Sequence, residues 1–123
     1  MMLLWIGLGG VVGAICRYRL GLWAGSRWGT SFPWGTFLIN ISGSALLGML
    51  FMLHETAALS SALWGLLGIG FCGAYTTFST FGYETIQLLD KGQYARAVLY
   101  VIGSTVLAVA TAGLGMLCMW SLS

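Results

Sequence analysis

The sequence is poor in charge. Only 7% of its 123 residues are Asp, Glu, Lys or Arg, while 59% are hydrophobic; a soluble chain carries about 25% charged residues. Too little polar surface remains to cover a water-soluble core. The acids are Glu55, Glu84 and Asp90 alone, and none falls at the centre of an apolar run. That leaves no carboxylate pair for acid–base catalysis and no mid-membrane acid for a proton-coupled exporter, so no enzyme is expected. The one histidine, His54, stands beside Glu55 in a polar connection, where a solvated pair is expected. Cys16, Cys72 and Cys118 are odd in number and share no disulfide, metal or redox spacing, and read as small packing residues. A net charge of +2, dispersed along the chain, gives no footprint for nucleic acid. No basic segment precedes the first apolar run, so no cleaved signal peptide is expected.

What is present is four long apolar runs, at about 2–23, 33–53, 62–89 and 94–120, each long enough to cross a bilayer. They predict an all-α membrane protein, a single transmembrane domain over 1–123 with short connections. Pro33, the only proline, opens the second run, where its missing N–H is tolerated. Trp5, Trp64 and Trp120 fall towards one membrane face and Trp23, Trp28 and Trp34 towards the other, as interfacial belts do. Glycine is abundant, at 19 residues. Gly9 and Gly13, with Gly10 and Ala14 beside them, form a small-residue face that another backbone can approach closely. The run Gly7-Leu8-Gly9-Gly10 is no dinucleotide loop, because Val12 stands where a third glycine is needed and no strand precedes it. Arg17 and Arg19 fall in the last turns of this span. Arg19 is expected to snorkel to the interface; Arg17, which is deeper, either snorkels or faces an aqueous vestibule.

The third run departs from uniformity at its middle, Gly73-Ala74-Tyr75-Thr76-Thr77-Phe78-Ser79-Thr80-Phe81. Four hydroxyl residues and two phenylalanines three apart, with no charge, predict a helix that breaks there. Backbone freed at membrane depth is tolerated only where protein or a water-filled path satisfies it. Asn40 is the only amide of the second span, on a face continued by Gly43, Ser44, Leu47 and Gly48. It can bond a neighbouring helix or present N–H donors to an anion. In the fourth span Tyr100, Ser104, Ala108 and Thr111 share one stripe. Hydroxyls, an amide and phenylalanine edges suit a small anion that must replace its water with donors. Freed carbonyls would equally suit a monovalent cation, and hydroxyls bonded back to their own helices would carry neither.

Taken together these residues resemble the CrcB/Fluc family of fluoride channels, over almost the whole chain. The resemblance is carried by Gly9-Gly10-Val11-Val12-Gly13-Ala14 with Arg17-Tyr18, by Pro33-Trp34-Gly35-Thr36 with Asn40 and Gly43, by Gly73 to Phe81 with Glu84, and by Ile102-Gly103-Ser104. It implies an antiparallel dimer of four-helix subunits in the bacterial-type plasma (inner) membrane, passively exporting cytoplasmic fluoride through two pores. It implies that Phe78 and Phe81 give ring edges to the ion with Asn40 as donor, that Ser79, Thr80, Tyr100 and Ser104 continue the lining, and that Arg17 and Glu84 lie near vestibules. It also implies a structural Na⁺ held by the backbone carbonyls of Gly73 and Thr76 from both subunits. Gly82 and Ala108 stand where many members carry a hydroxyl, so a thinner polar lining is expected. All five Lys and Arg residues fall towards the side opposite the termini. The positive-inside rule then puts the termini outside, whereas an antiparallel homodimer needs insertion both ways; the other option is an oppositely oriented homologue. The orientation signal of so short a chain is weak, which favours the homodimer. A small four-helix multidrug-type transporter and a non-conducting scaffold are the alternatives.

Overall fold

The structure, a computed structural model, describes residues 1–122. Among them α1 covers Met2–Trp28, α2 Trp34–Glu55, α3 Ser61–Leu63, α4 Gly73–Tyr75, α5 Ser79–Asp90 and α6 Tyr94–Leu122. Between α3 and α4 the chain continues as a π-helix over Trp64–Cys72, so that Ser61–Asp90 forms one interrupted third span. The architecture is all-helical, with four segments long and apolar enough to cross a membrane. At about 1.5 Å rise per residue, α1 and α6 reach about 40 Å, enough to cross a hydrocarbon core of about 30 Å with room to tilt.

Helix α1 runs further than the sequence pattern suggests. It passes through Gly25 and Ser26 and stops only at Gly29, whose φ of 77° belongs to the left-handed region glycine tolerates. Residues 24–28, expected in a loop, are therefore helical. Arg17 and Arg19 consequently lie well inside the helix and not in its last turns. Pro33 stands one residue ahead of α2, and its carbonyl accepts the N–H of Phe37 at 3.1 Å.

His54 is not the solvated member of a loop pair. It belongs to the last turn of α2, and its ring stacks on Trp64 with centroids 4.9 Å apart and planes 8° apart. The tight turn after Glu55, with Ala57 at φ 61°, folds the start of the third span back onto α2. The Ser60 hydroxyl then accepts the N–H of Leu63 and caps the new helix. The aromatic belt at the opposite end is present, with Trp23, Trp28 and Trp34 in sequential ring contact at 5.0 and 6.3 Å.

Small residues set the helix contacts. Lipid is as apolar as leucine, so helices associate in it by close packing. A Cβ added at Gly9 would run into the carbonyl of Leu66, and one at Gly13 into that of Phe71. The small-residue face of α1 is thus keyed to the backbone of the π-helical turns. On the other side, Gly48 of α2 meets the carbonyl of Ala112, and Gly115 of α6 meets that of Ala45. The third span changes neighbours along its length: its first half packs on α1 and its second half, α5, on α6. The cysteines are all free. Cys72 is buried as a packing residue, but Cys118 is exposed near the end of α6 and packs against nothing that would bury it.

Candidate functional site

The third span is interrupted at Thr76–Phe78. Thr76 has extended backbone, φ −79° and ψ 157°, and α5 begins afresh at Ser79. The hydroxyl and the N–H of Thr76 both return to the carbonyl of Cys72, at 2.9 and 3.0 Å, which closes the first half. The Thr77 hydroxyl accepts the N–H of Thr80 at 3.2 Å and caps the second half.

Asn40 repairs the gap from the neighbouring helix. Its Oδ1 accepts the N–H of Thr77 at 2.9 Å, and its Nδ2 donates to the carbonyl of the same residue at 3.0 Å. An unpaired peptide at this depth costs several kcal/mol, so the amide of α2 makes the break affordable. The diversion also strips two carbonyls of their helical donors. The N–H of Thr77, which in a continuing helix would reach Gly73, goes to Asn40. The N–H of Thr80, which would reach Thr76, goes to the Thr77 hydroxyl.

An open cavity of about 290 Å³ lies against this break. Asn40, Ser44 and Leu47 line it from α2, Thr76 to Phe78 and Phe81 from the third span, and Ser104, Thr105 and Ala108 from α6. No lining residue is charged. The Ser104 oxygen is buried and without a partner among the described residues, although a serine in a helix can bond its own preceding turn. Phe78 is 84% exposed. From its ring a line of contacts leaves the cavity: to Phe81 at 6.0 Å, from Phe81 to Tyr100 at 4.9 Å, and from the Tyr100 hydroxyl to Glu84 Oε1 at 3.1 Å. Glu84 lines a second, polar cavity of about 420 Å³ with Thr36, Gln87 and Lys91, next to the loop that joins α1 to α2.

The structure therefore brings together Asn40, Phe78, Phe81 and Ser104. It places Ser79 and Thr80 on the exposed side of the first turn of α5, outside that cavity. Tyr100 is fully buried between Phe81, Phe32 and Glu84 and lines neither cavity. Arg17 is half-buried on α1 and is not among the residues around Glu84's cavity. Thr111 shares the stripe of Tyr100 and Ser104, but its hydroxyl donates to the Ala108 carbonyl of its own helix at 3.1 Å and to the Ile41 carbonyl across the α2–α6 contact at 3.3 Å. Gly73 is exposed, with open space where a side chain would stand. No group of three His, Cys, Asp or Glu residues that could hold a metal occurs among the described residues.

Sequence reasoning counted Thr77 among the hydroxyls of the break but gave it no role, although it makes the bonds to both Asn40 and Thr80. A usable signal was there, since a threonine just ahead of a helix start, three residues before the N–H it accepts, is a capping pattern.

Residues 4–116 match the family described as "CrcB-like protein, Camphor Resistance (CrcB)". The "Fluoride-specific ion channel FluC" of Acidobacterium capsulatum is 45% identical over 117 residues, 94% of each chain. The protein of the same name in Chloroflexus aurantiacus is 46% identical over 102 residues, 82% of this chain and 81% of that one. "Fluoride-specific ion channel FluC 2" of Moorella thermoacetica is 42% identical over 119 residues, 97% of each. A match over nearly its whole length, in a chain with four apolar spans, places the protein in the CrcB family.

Proposed function

We propose that this protein is a fluoride-selective channel through which cytoplasmic fluoride leaves a bacterial-type cell passively. The observation that carries the reading is the cavity at the break, where an amide, a hydroxyl and two phenylalanine rings from three spans converge with no charge among them. Fluoride is small and strongly hydrated, and it crosses only where donors replace its water. Asn40 Nδ2 has a second hydrogen beyond the one given to Thr77, Ser104 has an unused hydroxyl, and ring edges are partly positive. A carbonyl-lined cation path is the weaker reading, because the cavity wall itself offers these donors. Relatives at 42–46% identity that are named for fluoride support the choice of ion.

The working assembly in this proposal is an antiparallel homodimer with two pores, pairing with an oppositely inserted homologue being the other arrangement. Phe78 supports a dimer, since its ring is bare in a single chain although it stands at the head of the pathway. The carbonyls of Gly73 and Thr76, relieved of their helical donors, suit a hard monovalent cation such as Na⁺. Two carbonyls are too few for such an ion, so a second chain would supply the rest. When bound, the ion would offset the partial negative charge at the ends of the two broken helices. The residues of this chain act through donors alone: Asn40 and Ser104 bind, Phe78 and Phe81 orient and exclude water, and Tyr100 holds Glu84 at the vestibule.

The test is efflux from liposomes containing the purified protein, read with a fluoride electrode, with chloride as control. Rapid fluoride release without chloride release, abolished by Phe78→Ile, is the expected result. Folded dimeric protein that releases no more fluoride than empty liposomes would overturn the homodimeric channel. A scaffold would show no flux and no sensitivity to Phe78→Ile.

A further inference from the structure

We infer that the main chain of Thr77 is a positioning and specificity-determining element, because it fixes which way round the Asn40 amide faces the ion pathway. The inference rests on the fluoride-channel reading and deepens it.

A side-chain amide is two-faced: one end donates, the other accepts, and a half-turn exchanges them. An amide free to turn inside an uncharged cavity serves anions and cations alike, since its oxygen welcomes a cation as readily as its N–H welcomes an anion. Asn40 is not free. Oδ1 is held by the Thr77 N–H at 2.9 Å, and one Nδ2 hydrogen is held by the Thr77 carbonyl at 3.0 Å. Both partners belong to one residue, so the two bonds form a closed ring. Turning the amide would set N–H against N–H and oxygen against oxygen, losing both bonds at once. What remains for the cavity is therefore a single N–H, while the oxygen has one of its two lone pairs taken and is held to the Thr77 N–H. The Thr77 side chain steadies the ring from its other side, because its hydroxyl caps α5 through Thr80. The same two bonds that repair the broken span thus give the pathway its preference for negative charge.

Asn40 is the only asparagine in the chain, which makes the inference directly observable. Protein labelled with ¹⁵N-asparagine alone, in lipid bilayers, carries one side-chain NH₂ group. The expected spectrum shows two unlike protons, one protected from solvent exchange and unmoved by added fluoride, the other shifting as fluoride is titrated. Two protons that exchange alike, or that both move with fluoride, would overturn the lock while leaving fluoride selectivity, if liposome efflux shows it, intact. A locked amide in a protein that passes no fluoride would instead count against the channel reading and not against the lock. As the functional arm, Asn40→Gln keeps the amide but adds a methylene and cannot close the ring on Thr77. Its fluoride-to-chloride flux ratio is expected to fall about tenfold or more, the equivalent of one net hydrogen bond. An unchanged ratio would show that any amide suffices and would overturn the inference. Should Asn40→Gln fail to fold, the spectrum of the unaltered protein decides alone.

Discussion

Gly43 offers a sharp probe of how the break is held. It lies one turn beyond Asn40 on α2, it is buried, and a Cβ placed on it would collide with the Cγ2 methyl of Thr76 and come within 3.1 Å of Cδ2 of Tyr75. The methyl cannot simply swing aside, because the Thr76 hydroxyl is committed to the Cys72 carbonyl at 2.9 Å and holds the rotamer. Gly43→Ala must therefore either break that bond, at about 1 kcal/mol, or push the third span away, at about 1–3 kcal/mol. Alanine's better helix propensity returns about 1 kcal/mol. The net expectation is a loss of up to about 2 kcal/mol, concentrated where Thr77 must meet Asn40. Since 1.4 kcal/mol is a factor of ten in an equilibrium, fluoride efflux should fall by up to roughly tenfold. Thr76→Ser removes the offending methyl and keeps the hydroxyl. The double variant Gly43→Ala/Thr76→Ser should therefore recover most of the flux, with a coupling of about 1–2 kcal/mol. Gly103→Ala is the control, since its added Cβ meets only Phe37 at 3.7 Å. Efflux from liposomes and thermal unfolding in detergent would be measured together. Wild-type flux in Gly43→Ala, or a double variant no better than the single one, would refute the steric argument.

Other outcomes follow from the same contacts. Gly9→Ala forces a methyl into the Leu66 carbonyl and should destabilise by about 1–3 kcal/mol, whereas Gly7→Ala, two residues away with open space around it, should be neutral or slightly stabilising in the same melt. Thr111→Val removes the bond to the Ile41 carbonyl between α2 and α6; a loss of about 0.5–1.5 kcal/mol with fluoride selectivity unchanged is expected, and a changed selectivity would place Thr111 in the pathway. Exchanging sodium for a bulky organic cation during purification should weaken dimer association, read by cross-linking or light scattering, if the Gly73 and Thr76 carbonyls of paired chains share an ion.

Much of this arrangement could be read from residue order, because a bilayer leaves few options. Four apolar runs separated by short polar connections can only be spans, and a hydroxyl cluster at the centre of one has few explanations besides a break. Asn40 was legible as a polar group on a small-residue face, but its partner was not: nothing in the spacing says that residue 40 meets the main chain of residue 77. The limits of α1 escaped for a simpler reason. Gly25 and Ser26 look like loop residues, and only the conformation at Gly29 shows where the helix stops. His54 was misread because its partner Trp64 is brought to it by a turn through Ala57, a residue without turn-forming chemistry of its own. Ser79 and Thr80 lie outside the cavity, on the exposed side of the first turn of α5, and the spacing alone does not say how α5 is oriented once the helix restarts after Thr76–Phe78.

The change of neighbours along the third span has a consequence for how the molecule opens. Its first half is tied to α1 through glycine-to-backbone contacts, and its second half rests on α6 beside the α2–α6 pair. A continuous helix would weld these into one cooperative block; the interruption divides them into two, joined by the Asn40–Thr77 ring. Amide exchange should then report two protection classes within a single span, slower before Thr76 where the packing is closest and faster after it. Excursions of α5, which carries Phe81 and Glu84, can occur while the α1 side stays shut. The more sparsely packed segment of the span thus stands beside the cavity and the glycine-keyed one behind it.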